Sequence, residues 1–222
     1  MERIILQTAD LSNTIYVKDL DETFHSVNGA LQESNHVFIQ AGFDEIIKSK
    51  NKINIYEVGF GTGLNALLTF TESSAKNISV SYTSIEAFPL EKNIIEELGY
   101  KNLFEKKYHA NIDKIQNANW NETIQLNENS SLTKFNIKLE EYIFNSTFDL
   151  VYFDAFAPDK QPELWTEEIY KNIFNNMNEG GILVTYSAKG EVRRRMQRVG
   201  FIVERLPGPK GKREMLRARK LN

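Results

Sequence analysis

Three carboxylates and one glycine run carry the chemistry legible in this sequence. They are Glu57, Glu86 and Asp154, with Gly59, Gly61 and Gly63 in "YEVGFGTGLNALL". Glycine costs backbone entropy in regular structure, so three in five positions mark a place where something must approach bare backbone. The run ends an apolar stretch and opens a helical pattern, whose first turn offers unpaired N–H groups. The spacing is not the dinucleotide G-x-G-x-x-G, and the absence of a lysine excludes a P-loop. Glu57 beside the turn suits a ligand with positive ends, and S-adenosylmethionine carries an ammonium and a sulfonium. Glu86 closes the next apolar stretch, where a carboxylate accepts from both ribose hydroxyls of a nucleoside. A glycine turn kept only for strand–helix packing is the competing reading.

The second constellation is "DLVYFDAFAPDKQPELWT", Asp149 to Thr166. Asp154 is predicted at the carboxyl end of the fourth core strand, beside the glycine strand, with Phe156 and Pro158 bordering the donor's methyl group. Methyl transfer is an in-line displacement that needs a near, aligned nucleophile. An alkyl amine has a free pKa of about 10 and must lose a proton first. Asp154 is placed to orient such an amine and to take that proton, directly or through water. Phe156 and Trp165 are placed to stack on a base. The alternatives are a turn-capping Asp154 and, favoured for Trp165, a core anchor.

Strands and helices alternate around these positions. Strands are predicted at Ile53 to Phe60, Ile78 to Phe88, Phe148 to Phe156 and "ILVTYS". Helices are predicted over "LNALLTFTESS", "PLEKNIIEELG", "PELWTEEIYKNIFNNMNEGG" (stopped by its glycine pair) and "GEVRRRMQRVG". The pattern predicts an α/β fold with a doubly wound, mostly parallel sheet. "FIVERL" and "REMLRAR", joined by a Pro/Gly loop, predict an antiparallel edge hairpin. Asn111 to Lys134, polar and asparagine-rich, reads as an excursion with one strand. Residues 1–50 read as an N-terminal elaboration, a hairpin and a helix packed on the domain formed by 51–222.

The chain has 222 residues, 41% hydrophobic, with a net charge of −3. That fits one domain with a real core and gives no overall sign of nucleic-acid binding. Without cysteine there are no disulfides or thiolate metal sites, which suits a reducing, cytoplasmic setting. "MERIILQTAD" has no signal-peptide pattern, and no stretch approaches a membrane helix. Charge is unevenly placed, however. From Lys189 to Asn222 there are 12 Lys/Arg and 3 Asp/Glu, a formal +9, leaving −12 on the rest. A basic end on an acidic body is a polyanion footprint or a solvated face.

"YEVGFGTGLNALL", "IEAFPL", "FDAFAPDKQPELWT" and "SAKGEVRRRMQRVGF…LPGPKGKREMLRA" resemble the methyltransferase half of the bifunctional MnmC-type tRNA enzymes. "FHSVNGALQESNHVFIQAGF" is similar to that family's N-terminal segment. The resemblance implies a Rossmann-type class I methyltransferase using S-adenosylmethionine, with neither metal nor FAD. It implies methylation of 5-aminomethyl(-2-thio)uridine at the tRNA wobble position, after other enzymes install the aminomethyl group. Carried over, the donor site comprises Glu57, Gly59, Phe60, Gly61, Thr62, Gly63, Asn65, Glu86, Ala87, Phe88, Asn136 and Ile137. Asp154 is the catalytic residue. The tRNA side comprises Phe156, Pro158, Lys160, Lys189, Arg193, Arg194, Lys212 and Arg213, with the basic residues and Lys210 gripping phosphates of the anticodon stem-loop. The family's larger members add a flavin-dependent oxidase domain, for which this chain is too short, so a stand-alone methyltransferase is expected. The family's Gly-Asp pair after the third core strand is missing: "TKFNIKLEEY" puts Asn136, Ile137 and Lys138 there. The rival readings are an aminopropyltransferase of the spermidine-synthase type and a non-catalytic RNA-binding protein on the same scaffold.

Overall fold

A computed structural model describes residues 2–221. Eleven strands and seven α-helices are present among them. They are β1 (Arg3–Gln7), β2 (Asn13–Val17), β3 (Glu22–Thr23), α1 (Ala30–Ser34), α2 (Asp44–Ile46), β4 (Lys52–Val58) and α3 (Leu64–Lys76). Next come β5 (Ser79–Glu86), α4 (Lys92–Glu97), α5 (His109–Asn117), β6 (Thr123–Asn127), β7 (Ser130–Asn136) and β8 (Phe148–Phe153). The chain closes with α6 (Glu167–Asn175), β9 (Met177–Thr185), α7 (Gly190–Arg198), β10 (Ile202–Pro207) and β11 (Glu214–Arg219).

Eight strands form one sheet in the order β10-β11-β9-β8-β4-β5-β7-β6. The centre, β9-β8-β4-β5-β7, is parallel, and antiparallel strands flank it at both ends. Strands β4 and β8, buried on both faces, read as the near-continuous apolar runs that such strands require. One face packs α3 and the N-terminal helical segment, the other α6 and α7. Chain order reverses at β4, which has β5 on one side and β8 on the other, so the carboxyl ends of β4 and β8 form the crevice where such sheets bind ligands.

The N-terminal strands β1-β2-β3 make a separate small sheet. Between α1 and α2 runs a π-helical stretch, Asn35–Phe43. At Gly42 it lies so close to the main sheet that a Cβ would stand 3.0 Å from Val184. The N-terminal segment is thereby held against β8 and β9, and its β3-to-α1 loop hangs over the crevice.

Two expected elements differ. Helix α6 ends at Asn175, and "MNEGG" belongs to β9. The register between β8 and β9 shifts at Phe148/Leu150, so the glycine pair bends a strand instead of stopping a helix. The polar stretch 111–134 holds most of α5, all of β6 and most of β7, and β6 and β7 pair as a hairpin. Strand β7 is the third parallel core strand despite "SSLTKFN", because only its alternate residues face the core.

Candidate active site

A cavity of about 550 Å³ opens at the carboxyl ends of β4, β5 and β8. The part nearest the glycine turn is lined by Gly59, Phe60, Gly61, Thr62, Asn65, Glu86, Ala87 and Phe88. Gly59 has φ +88°, and a Cβ there would stand 2.6 Å from the Asp154 carbonyl oxygen. Gly61 has φ +50°, and its Cβ would stand 3.1 Å from the Phe24 ring. Side chains rarely adopt that backbone, so these glycines are dictated by conformation and by space together. Gly63 caps α3 and faces a smaller neighbouring cavity instead. Glu86 accepts N–H bonds from Gly61 at 3.0 Å and Phe88 at 2.9 Å, one on each oxygen. Burial raises its pKa against those bonds.

Asp154 lies just beyond β8, where its N–H donates to the Val58 carbonyl. Asn65 Nδ2 donates to Asp154 Oδ2 at 2.8 Å and to Glu57 Oε1 at 3.1 Å. Burial raises the Asp154 carboxyl to about 7, against the Asn65 hydrogen bond; Glu33 adds to the rise and Lys212 opposes it. A carboxyl poised there exchanges a proton readily at neutral pH.

Several expected contacts are relocated. Glu57 is fully buried and does not line the cavity; its carboxyl accepts from Asn65 and from Ser84 at 2.7 Å, and burial raises it to about 8. It therefore stands behind Asn65. Asn136 and Ile137 do not line the cavity either. Asn136 Nδ2 donates to the Glu86 carbonyl at 3.0 Å, and the Ile137 N–H reaches that carbonyl too, so both brace the turn beneath Glu86.

Of the residues expected on the tRNA side after Asp154, Phe156 and Lys160 line the cavity and Pro158 does not. Phe156 meets Phe24 edge-to-face at 5.0 Å. Trp165 is fully buried, and its Nε1 donates to the Phe156 carbonyl at 2.8 Å, so it anchors the wall without stacking on a ligand. Lys212 lines the cavity, paired with Glu33. Lys189, Arg193, Arg194 and Arg213 lie outside it: Lys189 pairs with Asp159, and Arg194 pairs with Glu191 at 2.8 Å. Much of the C-terminal charge is paired within the chain. Arg217 and Arg219 share Glu204 and Glu45, Arg198 pairs with Glu167, and Lys220 donates to two backbone carbonyls. Arg3, Phe24, His25, Glu33 and Tyr186 also line the cavity, although no spacing in the sequence singles them out. The likeness around "FHSVNGALQESNH" is the one signal for three of them. Among the described residues no group of three His, Cys, Asp or Glu is arranged to hold a metal ion.

The profile of a family described as S-adenosyl-L-methionine-dependent methyltransferases matches residues 97–221. The chain belongs to this family. It is 29% identical over 215 residues to the bifunctional protein MnmC for tRNA 5-methylaminomethyl-2-thiouridine biosynthesis from Campylobacter hominis, covering 94% of this chain and 31% of that protein. The same protein from Leptospira interrogans is 30% identical over 214 residues, covering 90% and 32%. This methyltransferase thus spans about a third of the length of the curated relatives it matches. The crystal structure of MnmC2 from Aquifex aeolicus superposes with a TM-score of 0.78 at 27% identity, over 98% of this chain and 70% of that one. Spermidine synthase from Thermotoga maritima (TM-score 0.59, 16% identity, 97% of this chain and 67% of that one) shares the fold. The expected Rossmann-like α/β architecture of this family is present.

Proposed function

We propose that this chain methylates the primary amine of 5-aminomethyl(-2-thio)uridine at the wobble position of tRNA, with S-adenosylmethionine as donor. The observation that carries the reading is Asp154, a half-buried carboxyl poised near neutrality beside a bare-backbone turn, in a chain whose length is nearly all matched by proteins named for the methylated product, 5-methylaminomethyl-2-thiouridine.

The cavity residues fit the donor. Gly59 and Gly61 present bare backbone to the cavity, and Glu86 and Phe88 line it as well. S-adenosylmethionine, when bound, supplies an electrophilic methyl carbon on a sulfonium. Glu86 is suited to the ribose hydroxyls, and Asn65 and the turn to the methionine end. Asp154 accepts a hydrogen bond from the acceptor amine and aligns its lone pair. Formation of the N–C bond is matched by cleavage of the C–S bond, whose electron pair stays on sulfur. The surplus proton on nitrogen passes to Asp154. Phe156 and Phe24 offer ring edges and faces to the base, which a single-stranded loop presents without duplex opening.

In this reading residues 1–50 are an elaboration of the same domain as 51–222. The work is cytoplasmic, and other enzymes supply the aminomethyl group. No described helix is long and apolar enough to cross a membrane. The test is methyl transfer to tRNA from cells that accumulate 5-aminomethyluridine, read by nucleoside mass spectrometry. The methylaminomethyl nucleoside is the expected product. Donor binding with no methyl on such tRNA would defeat the reading.

A further inference from the structure

Glu33 and Lys212 meet inside the acceptor half of the cavity, and the chemistry above leaves them without a task. Glu33, on α1, is 5% exposed. It accepts from the Ser26 N–H at 2.6 Å on one oxygen and from Lys212 Nζ on the other. Lys212 comes from the β10–β11 loop, at the opposite end of the sequence. Its ammonium lies 4.0 Å from the centroid of the Tyr186 ring. Tyr186 is fixed in turn, donating its hydroxyl to the Ala155 carbonyl at 2.8 Å. Ala155 follows Asp154, so the ammonium is mounted on the same wall as the catalytic carboxyl.

A lysine held this way has lost its rotamer freedom before any ligand arrives, which favours a specific contact. An ammonium has three N–H donors and no acceptor. One is taken by Glu33, and the ring shields one side, so the cavity receives the rest. Glu33 balances the charge, which makes Lys212 a poor counterion for a phosphate and a good donor to a neutral oxygen.

Resting on the proposed reading, we infer that Lys212 is the specificity residue for the acceptor base, donating to the ring carbonyl beside the aminomethyl arm. In a 5-aminomethylpyrimidine the arm's amine and the 4-carbonyl oxygen lie on one edge of the ring. Asp154 and Lys212, neighbours on one wall, present an acceptor to the first and a donor to the second. A site built to bond a substrate oxygen strongly rejects an analogue lacking it, because its own donor is left unpaired.

The test is a cycle of two enzymes and two acceptors. The acceptors are an anticodon stem-loop with 5-aminomethyluridine and the same stem-loop with the 4-carbonyl replaced by C–H. The enzymes are wild type and Lys212→Met/Glu33→Gln, which removes both charges so that no buried carboxylate is stranded. Thermal melts and calorimetric donor titration check fold and donor site. Wild type should lose roughly 10- to 100-fold in kcat/KM on the altered acceptor. The double variant should lose a similar factor on the natural acceptor and nothing more on the altered one. Equal extra loss in both enzymes shows a clamp between chain ends and overturns the inference, as does a wild type indifferent to the carbonyl. Wild type methylating neither acceptor defeats the underlying reading and this inference with it. Lys212→Arg, which keeps a donor and the Glu33 pairing, should retain most of the discrimination and gives a readout even if the double variant fails to fold.

Discussion

Asn65 Nδ2 stands 2.8 Å from Asp154 Oδ2 while reaching Glu57 Oε1 at 3.1 Å, so one carboxamide holds two carboxyls in a row. The arrangement grades their protonation. Glu57, fully enclosed, is raised to about 8, and Asp154, at the cavity wall, to about 7. At neutral pH the inner carboxyl is mostly a neutral acid and the outer one is divided between its two forms.

That grading sets a pH profile. In the proposed reaction Asp154 serves as base only when ionised, so kcat/KM should fall as pH drops below about 7. Asn65→Ala removes a donor to the ionised form, raising the Asp154 pKa. A hydrogen bond to a charged group contributes about 1.5–3 kcal/mol, so the acid limb should move up by roughly one to two units. Asp154→Asn should bind donor normally and lose about 10²–10⁴-fold in methyl transfer. Rates on aminomethyluridine tRNA across pH decide both. An acid limb unmoved in Asn65→Ala would detach it from Asp154.

Glu57 makes a prediction about stability without donor. Its pKa rises from 4.5 in the unfolded chain to about 8 in the folded protein. Between those values the native state holds a proton that the unfolded state has released. Stability is therefore fully present below about 4.5 and declines as pH rises toward 8. Glu57→Gln cannot ionise and should flatten that decline, leaving the smaller Asp154 share. Denaturant melts at several pH values would show it, and parallel slopes for variant and wild type would refute the assignment.

Gly61 faces two demands, a φ of +50° and a Phe24 ring 3.1 Å from where its Cβ would stand. Gly61→Val should abolish donor binding in titration calorimetry, with strain of about 1–3 kcal/mol lowering the melting temperature. Gly61→Ala/Phe24→Ala removes the collision but not the strain, so it should regain part of the affinity. No recovery would place the whole effect in the backbone.

The central elements are legible because their signals are local. The apolar runs of β4 and β8, the glycine turn and the terminal hairpin each declare themselves within one short contiguous stretch. What stays hidden depends on neighbours remote in sequence. Strand β7 looks polar until it is seen pairing on both edges. Lys134 on that strand is 3% exposed, between the Phe60 and Trp120 rings, where a sequence reading expects a solvent-facing lysine. The sequence points Glu57 and Asn136 at the ligand, yet each directs its polar atoms to neighbours that place a lining residue. Glu33 and Lys212 are 179 positions apart, and no pattern within either segment announces the pair.

The same distinction divides the basic C-terminal segment into residues that hold the fold and residues left exposed. Arg217 is 15% exposed in side chain and bonded to Glu204 at 2.6 Å, so Arg217→Ala should lower stability by about 1–3 kcal/mol and leave the salt dependence of tRNA binding alone. On α7, Arg193 is half-buried and Arg194 is exposed. The Arg194 partner is Glu191 on the same helix, an exposed pair of little net worth that a phosphate can displace. Arg193→Ala/Arg194→Ala should weaken tRNA binding and keep donor affinity. It should also reduce the slope of log affinity against log salt by about 0.7–0.9 for each phosphate left unneutralised. Lys212→Met/Glu33→Gln should leave that slope unchanged, since the pair it removes carries no net charge. Binding curves at several salt concentrations, with melts of the same proteins, separate the three behaviours. An Arg193/Arg194 variant with wild-type affinity and slope would take α7 out of the tRNA footprint. A Lys212 variant with a reduced slope would return that lysine to the phosphates and away from the base.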